Sequence, residues 1–539
     1  MLAAACYLAI TLPFVSPLID YGHLTSASYE GDSRLLIWTL AWDSHAVLTG
    51  TPLFDANIYY PLPHALARAE HHVGLGVFAL PLYALSGNAV LTYWILWLLA
   101  FPLNAMAMHA LAWRVTRDHA ASLLAGVVYA FCFFRMHHAH GHIQLLWTWA
   151  LPLVPLALER WLAQPTWRRA AMVTVLVTIQ ALSSWYLAVF VAILAAVCAA
   201  VMVPGRTLTR AHVVQAVVAL AAGALIVGWF ARPYFGLAPG PLEEAAANAA
   251  DVTAYLLPPE NTWLGQRLVR HTALQPRWIW GEQTLFIGWS AAALALAAVA
   301  SLVRGRGPDV ASPPILAAVV LTGLLALALS FGPSAIGASP FDLFAQLPGM
   351  ALLRAPARFA LLVMMAVALL VTCGYAAIVR GRSRGVRAGV LCVCIIAFLF
   401  ESFVVRFPSG TPRPFPPPPV YERLTTLPGG AVASLPSYWG TPEAFREADY
   451  LLFSTVHWRP IMNGFGRQEP PDHGSRIDVL RRFPDQDAVE LLARIGVRYV
   501  VLHTGRASEL VDRVEAARRV SSTQLIYSNA GDFLFEIRP

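Results

Sequence analysis

The sequence predicts an α-helical polytopic membrane protein with a small α/β domain at its C-terminal end. Three observations carry that prediction. Apolar residues make up 57% of the 539 and charged residues only 13%, about half the charged share of soluble domains. The apolar residues gather in long blocks such as 89–113 and 358–379, and about 20 such residues in a helix cross a hydrocarbon core. Beyond a proline-rich stretch at 408–419 the composition returns to that of an ordinary globular domain.

The first block, 2–18, lacks a basic leader and contains Pro13 and Pro17, so it reads as a span and not a signal peptide. A polar and aromatic loop follows over 20–88. Further spans are expected near 89–113, 120–134, 143–159, 170–184, 185–203, 213–231, 284–303, 314–331, 357–379 and 388–406, about eleven in all. The block 169–203 needs a break, because its 35 residues would extend about 52 Å as one helix; Ser183-Ser184 supplies a hairpin. The loops 114–119, 159–170, 204–212, 303–312 and 380–387 hold thirteen arginines in 45 residues, and the longer opposite loops are much sparser. This asymmetry places the N-terminus in the cytoplasm and the long loops outside. The expected organisation is a membrane domain over 1–406 with outer loops 20–88 and 232–283, a stiff linker over 407–420, and an extracytoplasmic α/β domain over 421–539. In that domain 431–435, 499–503, 524–527 and 533–537 read as strands, and 443–453, 488–495 and 507–517 as helices.

Composition also excludes function classes. The net charge of +7 rests on 38 basic residues, all arginine, and their place in short loops reads as topology and not as nucleic-acid binding. The six cysteines fall inside apolar blocks and show no disulfide or zinc spacing. No P-loop, Rossmann fingerprint or Ser-His-Asp pattern is present. The short cytoplasmic loops leave no room for a nucleotide domain. No internal repeat of the transporter kind is evident, and the span centres carry few charges.

The informative loop is the first. It reads Tyr29-Glu30-Gly31-Asp32-Ser33-Arg34 and then LLIWTLAWDSHAVLTG. Leu35, Trp38, Trp42 and Ala46 share one helical face, so a helix lying in the outer interface is expected, with Asp32 at its start. On its own, Asp32 reads first as a helix cap. Here the sequence resembles the GT-C superfamily of membrane glycosyltransferases, in which an acidic residue follows the first span in a long loop. RAEHHVGLG at 68–76, AGVVYAFCFFRMHHAHGHIQLLWTWALPL at 125–153 and LLRAPARF at 352–359 are similar to one bacterial branch. The resemblance implies sugar transfer from a polyprenyl-phosphate donor to a glycan, lipid or protein acceptor, on the outer face of a bacterial cytoplasmic membrane. It also implies that Asp32 removes the acceptor's proton. A flippase or transporter of lipid-linked sugars, or a non-catalytic factor in envelope-polysaccharide assembly, is the alternative.

Other residues follow from chemistry placed beside that resemblance. Glu70, His71 and His72 suit donor or acceptor binding or a divalent metal, although adjacent side chains diverge and metal need stays open. Arg135, His138 and His142, with His137 and His140, suit a donor phosphate; interfacial anchoring fits them equally. Arg354 and Arg358 are placed to hold the donor phosphate and its leaving oxyanion, or lipid headgroups. Glu243, Glu244, Asp251 and Tyr255 lie in the candidate acceptor loop. Trp185, Tyr186, Trp278 and Trp280 are able to stack on sugar rings or to anchor in the interface.

Overall fold

The computed structural model describes residues 2–237, 242–271, 281–305, 309–334, 337–350, 353–405 and 410–538. The expected boundary at 406–407 and the two tryptophans Trp278 and Trp280 lie outside these residues. By contact the chain forms two units, Met1–Ile19 with Leu96–Thr411, and Asp20–Ile95 with Pro412–Pro539. Each is described by itself.

The first unit is helical, as its apolar blocks require. Among the described residues of the chain, seven helices are long and apolar enough to cross a membrane: Ala89–Thr116, His119–His138, Trp185–Met202, Arg210–Tyr234, Pro313–Ser330, Pro356–Ile378 and Arg384–Ser402. The other four expected spans are also helical but shorter, at Leu2–Phe14, Ala150–Ala163, Trp167–Ala181 and Trp289–Val303, with 13 to 15 residues each. At 1.5 Å per residue they reach about 20–23 Å, short of a core of roughly 30 Å. The break expected at Ser183-Ser184 is present, since one helix ends at Ala181 and the next begins at Trp185.

One expected span is not continuous. Over 143–159 a short helix, Ile143–Leu146, stops at Trp147, and the helix Ala150–Ala163 starts anew. Carbonyls released by such a stop need donors when buried, and long-range side chains supply them. The Asn104 amide donates to the Leu146 carbonyl at 2.6 Å and the Gln180 amide to the Trp147 carbonyl at 3.0 Å. Arg135 takes the carbonyls of Leu145 and Leu146. Elsewhere the helices approach closely through small residues. Trp289–Val303 packs along Ala360–Ile378, and a Cβ on Gly374 would stand 1.9 Å from the Leu294 carbonyl oxygen.

The second unit is built around a four-stranded sheet of β3 (Ala431–Leu435), β4 (Val497–His503), β5 (Thr523–Asn529) and β6 (Asp532–Ile537), ordered β3-β4-β6-β5. β3 and β4 are parallel, and the other pairs are antiparallel. A two-residue ladder joins β1 (Ala27–Ser28) to β2 (Arg413–Pro414). Alternation along β4 sends Val500 and Leu502 to one face with Ile477, Leu480, Leu492 and Val514. Tyr499 and Val501 face the other way, with Tyr421, Leu424, Leu451 and Phe453. The helices Pro419–Thr425 and His473–Leu480, unmarked in the sequence reading, complete these two layers.

The helix Asp32–Thr49 differs from expectation. Its face of Leu35, Trp38, Trp42 and Ala46 is not a lipid-facing stripe, because it packs into the core formed with Tyr421, Tyr450 and Phe453. A buried ionic bridge fixes the same helix. Arg34 pairs with one Asp449 oxygen, Arg506 donates to the other at 2.8 Å, and the Arg34 guanidinium lies 3.4 Å from the centre of the Phe415 ring. The two arginines share one carboxylate, so each buried charge has an opposite partner although the trio keeps one net positive charge.

Candidate functional site

Asp32 is the first residue of its helix, and Gly31 is the cap. Gly31 adopts φ +62°, a left-handed conformation that favours glycine. A Cβ there would also meet the Phe445 side chain at 3.3 Å. Asp32 therefore sits where the helix dipole favours a carboxylate, half-buried and within electrostatic reach of Tyr93. On the same helix Asp43 is buried. One of its carboxylate oxygens accepts the His72 backbone N–H at 3.3 Å. Burial pushes the Asp43 carboxyl up to about 7, and the His72 bond offsets this in part.

Glu70, His71 and His72 turn apart. Glu70 has φ +74°, and the His71 ring sits edge-on to Phe54 at 5.8 Å. His72 presents its backbone N–H to Asp43. Burial is the main cause that takes His71 down to about 3, with His72 adding to it, so its imidazole is neutral. Among the described residues no group of three or more His, Cys, Asp and Glu is arranged to hold a metal ion.

In the first unit, four side chains from separated segments converge. Arg358, in the 3₁₀ turn Pro356–Phe359, grips Glu282 with two nitrogens. Nε donates to Oε2 at 2.9 Å, and Nη2 donates to Oε1. Nη2 is also 3.4 Å from His142 Nε2. His138 Nε2 lies 3.6 Å from Glu282 Oε2, and His138 Nδ1 lies 3.5 Å from His142 Nδ1. Tyr186 backs the guanidinium, with its ring 4.6 Å away, and its hydroxyl accepts the Ala355 backbone N–H at 2.9 Å. Burial alone would raise the Glu282 carboxyl, but Arg358, His138 and His142 outweigh it and hold Glu282 well below the usual carboxylate range.

The other sequence candidates have different places. Arg135 is fully buried, its Nε donating to the Tyr129 carbonyl at 2.7 Å and its Nη1 reaching the Leu145 and Leu146 carbonyls at 3.3 and 3.2 Å. In that place it fastens the helix break and the His138–His142 turn. Arg354, part-exposed, pairs with Glu244 at 2.9 Å. Glu243 is exposed one position before Glu244. Asp251 caps a short helix through the Ala254 N–H at 3.0 Å. The Tyr255 hydroxyl donates to Ser330 Oγ at 2.8 Å in a buried setting. Trp185 packs edge-on to Tyr234.

Glu282 escaped the sequence reading. The one signal for it is a lone acid beside an apolar block, in Gly281-Glu282-Gln283-Thr284, where a charge near a membrane needs a partner.

No family model matches this sequence, and no curated protein matches it. Solved structures do. A mycobacterial arabinofuranosyltransferase, AftD, superposes over 100% of this chain with a TM-score of 0.59 at 17% identity. The chain spans 40% of that protein's length. The oligosaccharyltransferase of Archaeoglobus fulgidus superposes over 98% of this chain and 73% of its own, with a TM-score of 0.51 at 14% identity. With its apolar helices and C-terminal sheet, this chain shares the fold of these two solved structures.

Proposed function

We propose that the protein is a glycosyltransferase that moves a sugar from a polyprenyl-phosphate donor to an envelope glycan, lipid or protein. The grouping of buried Arg358 and His138 with half-buried His142 around one carboxylate carries this reading. A bidentate guanidinium with imidazole donors beside it matches the oxygens of a phosphate ester. In the reaction an acceptor hydroxyl oxygen bonds to the anomeric carbon as the sugar–phosphate C–O bond breaks. The bonding pair leaves on the phosphate oxygen, where Arg358, aided by the imidazoles, offsets the charge. The acceptor's proton goes to a carboxylate, a role assigned to Asp32 on the strength of the GT-C likeness. Arg135 is assigned positioning of the His138–His142 turn, and Arg354 with Glu243, Glu244, Asp251 and Tyr255 the wider acceptor loop. The two solved neighbours, named for arabinofuranosyl and oligosaccharyl transfer, support glycosyl transfer as the reaction class. The arginine-rich short loops support an outer-face site in a bacterial cytoplasmic membrane.

The test is turnover by the full chain in lipid nanodiscs, given a panel of radiolabelled polyprenyl-phosphate pentoses and hexoses with an envelope extract as acceptor. The expected result is transfer of label with release of polyprenyl phosphate, lost in Arg358→Gln. Movement of an intact lipid-linked sugar across the bilayer without release would favour a flippase and refute the proposal.

A further inference from the structure

We infer that Glu282 is a resident anion: it occupies the phosphate seat formed by Arg358, His138 and His142, and an incoming phosphate ester displaces it. The inference rests on the phosphate-binding reading above and adds a gate to it. Arg358 is held from two directions that do not involve Glu282, by the 3₁₀ turn it stands in and by the Tyr186 ring 4.6 Å away. His138 is likewise placed by its own helix, which Arg135 fastens through the Tyr129, Leu145 and Leu146 carbonyls. Glu282 comes from a different kind of segment. It sits in the non-helical stretch 281–288 ahead of the helix Trp289–Val303. Arg358 and His138 thus stand on helical elements, His142 caps the helix Ile143–Leu146, and Glu282 stands on a loop.

Geometry and charge fit the exchange. Glu282 presents two oxygens to one edge of the guanidinium, with His138 3.6 Å from one of them. Two oxygens of a phosphate ester make the same pair of contacts. A buried guanidinium with no anion is strongly disfavoured, so the seat must hold one before the donor binds. Glu282 remains ionised there, so it competes directly with a phosphate. No bond is made or broken in the exchange; one ion pair replaces another.

The experiment uses the full chain in nanodiscs and measures Kd and the Tm gain with a long-chain prenyl phosphate, with inorganic phosphate as a separate arm. In Glu282→Gln the competitor is neutral, so prenyl phosphate is expected to bind about tenfold tighter and to give a larger Tm gain than in wild type. Arg358→Gln is expected to weaken binding. If Glu282→Gln folds poorly without ligand, Glu282→Asp, whose shorter reach loosens the pair, should shift Kd the same way. Rescue of the Tm of Glu282→Gln by inorganic phosphate, with no added gain from prenyl phosphate, would keep the seat and assign it to free phosphate. Unchanged or weaker prenyl-phosphate binding in folded Glu282→Gln, with no phosphate rescue, would overturn the inference. Were wild type still to transfer sugar, the gate alone would fall. If wild type transfers no sugar while phosphate still rescues the variant, the proposed function falls and the seat stands.

Discussion

Asp32 and Asp43 stand on one helix in contrasting environments. Asp32 is half-buried at the positive end of the helix; Asp43 is buried in its fourth turn. Asp32→Asn keeps size and cap geometry while removing basicity, so turnover is expected to fall about 10²–10⁴-fold with Tm unchanged. Retained turnover within a few-fold of wild type would remove Asp32 from the chemistry. Asp43 gives a pH signature. Its carboxyl is raised from 3.8 to about 7 by burial, so the folded state holds a proton that the unfolded state has lost between those limits. Stability from this group is complete below about pH 4 and declines as pH rises to about 7. Asp43→Asn, neutral at every pH, should therefore raise Tm by several degrees at pH 8 and little at pH 4. A pH-independent difference between the two proteins would show that Asp43 ionises normally.

At the scale of elements, the strands were legible as short, mostly apolar runs between bounding turns, and all four of the main sheet stand where the sequence places them. The helix Asp32–Thr49 was legible as an amphipathic element, but its cover was not. An apolar stripe reports that something apolar lies against it, and it reads alike for lipid and protein. The core shows protein. Trp42 packs there, and its indole N–H donates to the Leu53 carbonyl at 2.8 Å. Trp42→Ala should cost about 3–5 kcal/mol and open 412–539 to limited proteolysis; wild-type protease resistance would return the stripe to the membrane interface. Glu282 was hidden for a different reason. Its partner Arg358 is 76 positions away, and no local spacing announces a pair closed by tertiary structure. Arg135 was visible as a cation among histidines suited to a phosphate, but the Leu145 and Leu146 carbonyls it serves are open to it only because the helix breaks at Trp147.

For the molecule as a whole, the packing of residues 20–95 with 412–539 in one unit changes what truncation should do. Removing 412–539 strips the cover from Trp38 and Trp42 and takes away Asp449, the partner of Arg34. Transfer is expected to be lost through collapse of the Asp32 helix. Phosphate binding at Arg358 should persist, because Glu282 and His142, which contact Arg358, and His138, which contacts Glu282, all belong to the other unit. Wild-type turnover by the truncated chain would refute this. The Arg34–Asp449 pair spans 415 positions, which sets a schedule for biosynthesis. At about 5–20 residues per second, the ribosome adds Asp449 roughly 20–80 s after Arg34. Through that interval the two indole rings lack the cover of Tyr421, Tyr450 and Phe453, and Arg34 lacks its carboxylate. If Asp32 has the role proposed for it, the same delay is a safeguard: a chain whose synthesis stops early carries that carboxylate on an unsupported helix and transfers no sugar.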